Sequence, residues 1–116
     1  MVELKFLTHI AIQVRDYANA IRFYTDVLGM QILTQGPNET QLRCGELTLY
    51  VEANDRNNVF LAFEAATLDQ AVQELKAAGC RLSGFGSEGQ MVHDPYGLKF
   101  YLSAREDQVG DAAGSQ

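Results

Sequence analysis

The chain has 116 residues, 47% of them hydrophobic, and a formal net charge of −6. That length and apolar content predict one globular domain with its own core. The negative charge argues against sequence-independent nucleic-acid binding and against attachment to anionic membrane surfaces, and no apolar run approaches the roughly 20 residues of a membrane span. From the N-terminus, Leu7 to Val14 alternates as a strand, with Ile10, Ile12 and Val14 on one face and His9, Ala11 and Gln13 on the other. Asp16 is placed to cap a helix. Tyr17, Ala20, Ile21, Tyr24, Val27 and Leu28 then recur at helical spacing up to a stop at Gly29. The apolar face of the strand is expected to pack on that helix, which leaves the histidine-bearing face for function.

Three short strands follow, Met30 to Thr34, Thr40 to Cys44 and Leu47 to Glu52, with turn signals at Gly36-Pro37-Asn38 and at Gly45. A polar linker, Ala53 to Asn58, precedes a fifth strand, Val59 to Ala65. Thr67 with Gln70 has the capping-box pattern ahead of a helix carrying Leu68, Ala71, Val72 and Leu75, which Gly79 ends. Arg81 to Phe85, Gln90 to His93 and Leu98 to Ser103 read as the closing strands. Gly84, Gly86 and Gly89 make a flexible hairpin rather than a nucleotide-binding loop, because no helix follows them. Asp94-Pro95-Tyr96-Gly97 is a strong turn, and residues 105–116 have the polar, Gly-rich composition of a disordered tail. Cys44 and Cys80 are expected to be buried or half-buried free thiols. The opening Met1-Val2-Glu3-Leu4-Lys5 lacks a signal-peptide layout, so a cytoplasmic location is expected.

The chain repeats itself at an offset of about 51 residues: Val14, Tyr17, Ala20, Ile21 and Tyr24 match Ala65, Leu68, Ala71, Val72 and Leu75. Each half is strand, helix, then three strands. Three pieces carry a wider resemblance: Thr8-His9-Ile10-Ala11-Ile12; the run Ala20 to Met30, which follows A-x-x-F-Y-x-x-x-L-G-M/F; and Asp94-Pro95-Tyr96-Gly97 before a final strand. In this order and spacing they resemble the vicinal oxygen chelate superfamily, which contains glyoxalase I, extradiol dioxygenases, fosfomycin-resistance enzymes and bleomycin-resistance proteins. The resemblance covers about residues 5 to 103. It implies an α+β fold of two βαβββ modules, about 5–53 and 58–103 within a single domain 1–104, their sheets curled as one mixed sheet around a cavity. It also implies a homodimer.

In metal-dependent members of that superfamily, histidines and glutamates on the concave faces hold one divalent ion. His9 matches the first ligand position. The repeat offset carries His9 to Phe60, the last-strand glutamate position is Tyr101, and its first-module counterpart falls at or beside Leu49. His9 is therefore the only surviving ligand position, and one imidazole is far short of the three or more ligands a divalent site needs. No cofactor is expected; a divalent metal held by a non-standard set that includes His9 is the alternative.

The ligand-binding candidates are His9, Gln13, Phe60, Glu64, Lys99 and Tyr101. His9 either lines the cavity, hydrogen-bonding a ligand or Tyr101, or is a structural histidine satisfied by backbone or Gln13; a lone general base is a further reading. Lys99 and Tyr101 share a strand face and offer an ammonium and a phenol, with Leu98, Phe100 and Leu102 turned to the helices; alternatively Lys99 snorkels and Tyr101 fills space. Phe60 is a platform for an aromatic ligand or ordinary core. Glu64 must be wet, protonated or paired, with Lys99 the nearest candidate partner. His93 belongs to the turn that follows it. These residues point to a glyoxalase/bleomycin-resistance-like protein that binds a small, aromatic or cationic molecule without metal. The alternatives are a metal-dependent lyase, isomerase or dioxygenase, and an interaction subunit whose cavity is filled by Phe60 and Tyr101.

Overall fold

A computed structural model describes residues 2–84 and 89–105. Eight strands and two helices form a mixed sheet: β1 (Leu4–Val14), α1 (Tyr17–Arg22), β2 (Gln31–Gln35), β3 (Glu39–Cys44), β4 (Leu47–Ala53), β5 (Val59–Ala65), α2 (Leu68–Ala77), β6 (Arg81–Gly84), β7 (Gly89–His93) and β8 (Lys99–Ala104). Each half runs strand, helix, three strands, as the repeat predicts. The expected tail and the tip of the glycine hairpin lie outside the described residues. No helix among the described residues is long and apolar enough to cross a membrane. The chain divides into two compact units, Thr8–Leu61 and Met1–Leu7 with Ala62–Gln116, so the division falls inside β1 and inside β5.

In the unit Thr8–Leu61 the strand order is β2-β3-β4-β1, with β1 parallel to β4 and the other pairs antiparallel. Parallel pairing needs a long crossover, which α1 and the two strands after it supply. The expected faces are observed: Ile10, Ile12 and Val14 pack with Tyr17, Ala20 and Tyr24 against the buried cluster Ile21, Leu42, Leu49 and Val51. The Tyr17 hydroxyl anchors the helix by donating to the Gly36 carbonyl at 2.8 Å and sharing a 2.6 Å bond with Thr40 Oγ1.

The helix differs from its pattern in two respects. Asp16 stands at the N-cap, but its carboxylate accepts from Asn19 Nδ2 instead of capping a backbone amide. After Arg22 the helix widens into a π-helical turn, Phe23–Val27, where the Leu28 amide bonds the Phe23 carbonyl five residues back. The extra residue shifts the phase, so Val27 and Leu28, expected on the inner face, are 66% and 51% exposed.

In the other unit β5-β8-β7-β6 repeats the arrangement, with β6–β7 and β7–β8 antiparallel. Phe63 packs edge-on against Phe100 and tilted against Phe6, and Phe100 and Leu102 are buried as expected. Leu98 is instead 46% exposed and precedes the strand, because it belongs to the turn that Asp94 closes by accepting from the Tyr96 and Leu98 amides. Thr67 occupies the N-cap of α2 without a side-chain capping bond, and Gln70 donates to Glu74 rather than back to the cap, so the capping box does not form. Both cysteines are free; Cys80 is half-buried, while Cys44 is exposed because it ends β3 at a tight turn. Burial, and then the negative charge of Asp94, push the Cys80 thiol above its ordinary value.

One backbone feature stands next to the site. Thr8 has φ +57°, a left-handed conformation that a β-branched residue rarely adopts. It lies within β1 immediately before His9, from which the pairing with β4 runs continuously to Val14.

Candidate functional site

Strand alternation fixes which side chains share the non-helical face of the unit Thr8–Leu61. Cross-strand partners point the same way. His9 pairs with Thr48 and Thr48 with Arg43; Ala11 pairs with Tyr50 and Tyr50 with Gln41; Gln13 pairs with Glu52 and Glu52 with Glu39. Direct contacts agree: the His9 and Tyr50 rings are 5.1 Å apart at 54°, and Gln13 Nε2 donates to Glu52 Oε1 at 3.3 Å. The opposite face holds Leu42, Leu49 and Val51 in the core.

Of the six candidates, His9, Gln13 and Phe60 lie in this unit. His9 is half-buried, and its ring contact with Tyr50 is the side-chain interaction it makes. Gln13 is 5% exposed and fully engaged: besides Glu52 it accepts from Asn58 Nδ2 at 3.0 Å, while its backbone amide donates to the Asn58 carbonyl at 2.8 Å. It ties the polar linker to β1. Phe60, at 5% exposure, is buried in β5.

Glu64, Lys99 and Tyr101 lie in the other unit. The Glu64 side chain is 12% exposed and faces Arg105 at 4.0 Å, an ion-pair partner that the sequence did not suggest. Lys99 is half-buried opposite His93 in the β7–β8 register, which makes His93 the last residue of a strand. Tyr101 lies over Gly89: a Cβ placed there would meet Tyr101 Cζ and Oη at 2.5 Å. Only a residue without a side chain lets the phenol lie flat on β7. A cleft of about 240 Å³ at the start of α2, lined by Glu3, Thr67, Gln70 and Glu74 among others, includes none of the six candidates.

The register also resolves the first-module position left between Leu49 and its neighbours. Phe100 and Leu102 are buried in β8 as Leu49 and Val51 are in β4, so Tyr101 corresponds to Tyr50, and Leu49 is a core residue. Both halves therefore carry a tyrosine at the position where the last-strand glutamate would stand. Sequence reasoning missed Tyr50, Thr48, Gln41 and Arg43, although the signal was present. Thr40-Gln41-Leu42-Arg43 and Thr48-Leu49-Tyr50-Val51 alternate strictly, and β3 and β4 needed the same two-face reading that β1 received.

Residues 6–102 match the family model of the Glyoxalase/Bleomycin resistance protein/Dioxygenase superfamily. The chain belongs to this superfamily. Among solved structures it is similar to homoprotocatechuate 2,3-dioxygenase from Brevibacterium fuscum, with TM-score 0.67, 23% identity, and coverage of 90% of this chain and 33% of the dioxygenase. It is also similar to the Mn(II)-bound glyoxalase from Novosphingobium aromaticivorans, with TM-score 0.66, 19% identity, and coverage of 90% of this chain and 40% of the glyoxalase. At these identities the likeness is one of fold, and the chain spans about a third of the dioxygenase's length. Comparison with curated proteins gives no match.

A divalent metal is the group this superfamily implies, and the donors present do not fit it. Among the described residues no three His, Cys, Asp or Glu side chains gather. His9 has Thr48 beside it and the Tyr50 ring against it, Glu64 faces Arg105, and positions 50 and 101 carry phenols where carboxylates would serve as ligands. The face of the unit Thr8–Leu61 carries an imidazole, a hydroxyl, a phenol, an amide and a guanidinium, with the carboxylates of Glu52 and Glu39 at its other end.

Proposed function

We propose that this superfamily member binds a small molecule on its polar sheet faces without a metal ion, with His9, Gln13 and Phe60 as the binding residues of one unit and Glu64, Lys99 and Tyr101 as those of the other. One observation carries the reading: tyrosines stand at both glutamate positions, leaving one imidazole where a divalent ion needs about three protein ligands. Sequestration, as in the bleomycin-resistance branch, requires shape and polarity and no chemical step. A cytoplasmic homodimer is part of the proposal, supported by the exposed apolar residues Phe23, Val27 and Leu28 on one segment.

The second reading, a metal-dependent enzyme with an unusual ligand set around His9, draws on the likeness to the manganese-bound glyoxalase. Elemental analysis of purified, tag-free protein before and after incubation with zinc, iron, manganese and nickel separates the two. No retained metal is the expected result. Near-stoichiometric metal that disappears in His9→Ala would overturn the metal-free proposal. Sedimentation velocity tests the dimer, and a monomer at micromolar concentration would refute that part.

A further inference from the structure

The small-molecule reading does not say what the molecule is, but the face of β1, β3 and β4 narrows its chemistry. We propose that this face takes a small molecule with an oxyanion head, carboxylate or phosphonate, on an aromatic body, with the head held by Arg43, Thr48 and His9 and the ring laid on Tyr50. This inference rests on the proposed function and adds the ligand class.

The register places His9, Thr48 and Arg43 in one row across three adjacent strands. Adjacent strands lie about 4.8 Å apart, so the row spans roughly 10 Å, the width of a carboxylate or phosphonate bound from both sides by flexible donors. Its chemistry is one-sided. Arg43 brings a permanent charge and a planar fork of N–H donors that matches an oxyanion, Thr48 a hydroxyl, and His9 a ring N–H.

None of these groups is committed elsewhere. Among the described residues the Arg43 guanidinium makes no ion pair, even with Glu46 in the adjoining turn, and the side chains of His9 and Thr48 make no hydrogen bond. Two rows along, the opposite holds: Gln13, Glu52 and Asn58 satisfy one another. Glu39, the next carboxylate on β3, stands four residues from Arg43, about 13 Å along the strand, beyond a Debye length at physiological salt.

Tyr50 occupies the row between, tilted 54° against the His9 ring, so a ligand ring attached to the bound head meets an aromatic surface. The overall charge of −6 favours cationic molecules at long range. At this row the local guanidinium decides, because a cation there would face Arg43 directly.

The test uses the full-length isotope-labelled protein, titrated with phenylphosphonate, benzoate and benzylamine while backbone amide shifts are followed. Phenylphosphonate and benzoate are expected to move the amides of His9, Arg43, Thr48 and Tyr50 in a saturable way, and benzylamine to leave them in place. Arg43→Gln, at an exposed position, should weaken both anions at least tenfold while the spectrum stays folded. Arg15→Gln, at the exposed Arg15–Asp55 pair, should leave them unchanged. Anion binding that survives Arg43→Gln, or benzylamine binding at these amides, would overturn the ligand class and leave small-molecule binding intact. No response to any of the three probes would also overturn it. The broader proposal is judged separately, by a melting-shift screen of neutral and cationic compounds.

Discussion

Gly89→Ala isolates one contact on which the β7–β8 face depends. A Cβ at this position would lie 2.5 Å from Tyr101 Cζ and Oη and 2.6 Å from the Leu102 carbonyl oxygen, all inside the 3.0 Å that real side chains respect. The phenol can swing away, but the Leu102 carbonyl is backbone in a strand paired with β7 and cannot. The variant must therefore lose the Tyr101 packing and also separate two hydrogen-bonded strands. Overpacking of this kind costs about 1–3 kcal/mol, offset in part by the gain of up to about 1 kcal/mol from replacing a strand glycine. In a domain of about 100 residues each kcal/mol is worth roughly 4 °C or more, so a fall of about 4–10 °C is expected in a thermal melt followed by circular dichroism. Gly84→Ala, with nothing within 4 Å of the added carbon, should melt within about 2 °C of the parent. Combining Gly89→Ala with Tyr101→Ala should recover only part of the loss, since the carbonyl clash remains. A Gly89→Ala protein that melts with the parent would show that Tyr101 does not lie on β7 and that the Gly89–Ser103 register is wrong.

Three further outcomes follow from the same structure. Gln13→Leu removes an acceptor from Asn58 and a donor from Glu52 in a buried setting, so urea denaturation should show a loss of about 1–3 kcal/mol; a neutral effect would mean the linker is held by backbone bonds alone. Thr8→Gly relieves a left-handed β-branched residue and should raise the melting temperature by a few degrees, about 1 kcal/mol; a decrease would show that the threonine side chain contributes more than the strain costs. Cys80 should alkylate more slowly than exposed Cys44 near neutral pH. Its raised folded value means the folded chain keeps a proton that the unfolded chain releases. That contribution is whole below pH 9.0 and is lost as pH rises through the folded value, so the stability gap to Cys80→Ser should narrow over this range. A gap unchanged with pH would contradict this.

Fold and site were legible to different depths. The two-fold order of elements was written in turn residues and in apolar periods, local signals that tertiary packing did not override: Ile10, Ile12, Val14, Tyr17, Ala20 and Ile21 meet as their spacing implies. The ends of helices were less legible, because Asp16 and Thr67 have the chemistry of caps but the bonds depend on side-chain torsions that sequence does not fix. The polar face was half legible. Alternation marked His9 and Gln13, but pairing Arg43 and Tyr50 with them required the strand register, which depends on how β1 meets β4 across an intervening helix and two strands. Arg105 as the partner of Glu64 was hidden because it opens a run of polar composition, while its backbone amide is bonded to the Ala65 carbonyl at 2.9 Å.

The widened turn at Phe23–Val27 carries a genetic implication. A helix is a screw thread on which each residue advances about 100°. One additional residue per turn therefore rotates everything after it by that angle without changing a single side chain. Val27 and Leu28 have the character of core residues and sit outside, forming with Phe23 an outward apolar ridge. No substitution had to create that ridge, and the mutation that would erase it with least damage to the core is a deletion. Losing one codon between Arg22 and Asp26 would rewind the thread and turn Val27 and Leu28 toward the inner face. A one-residue deletion here would thus change the exposure of Val27 and Leu28 with no change in their identity.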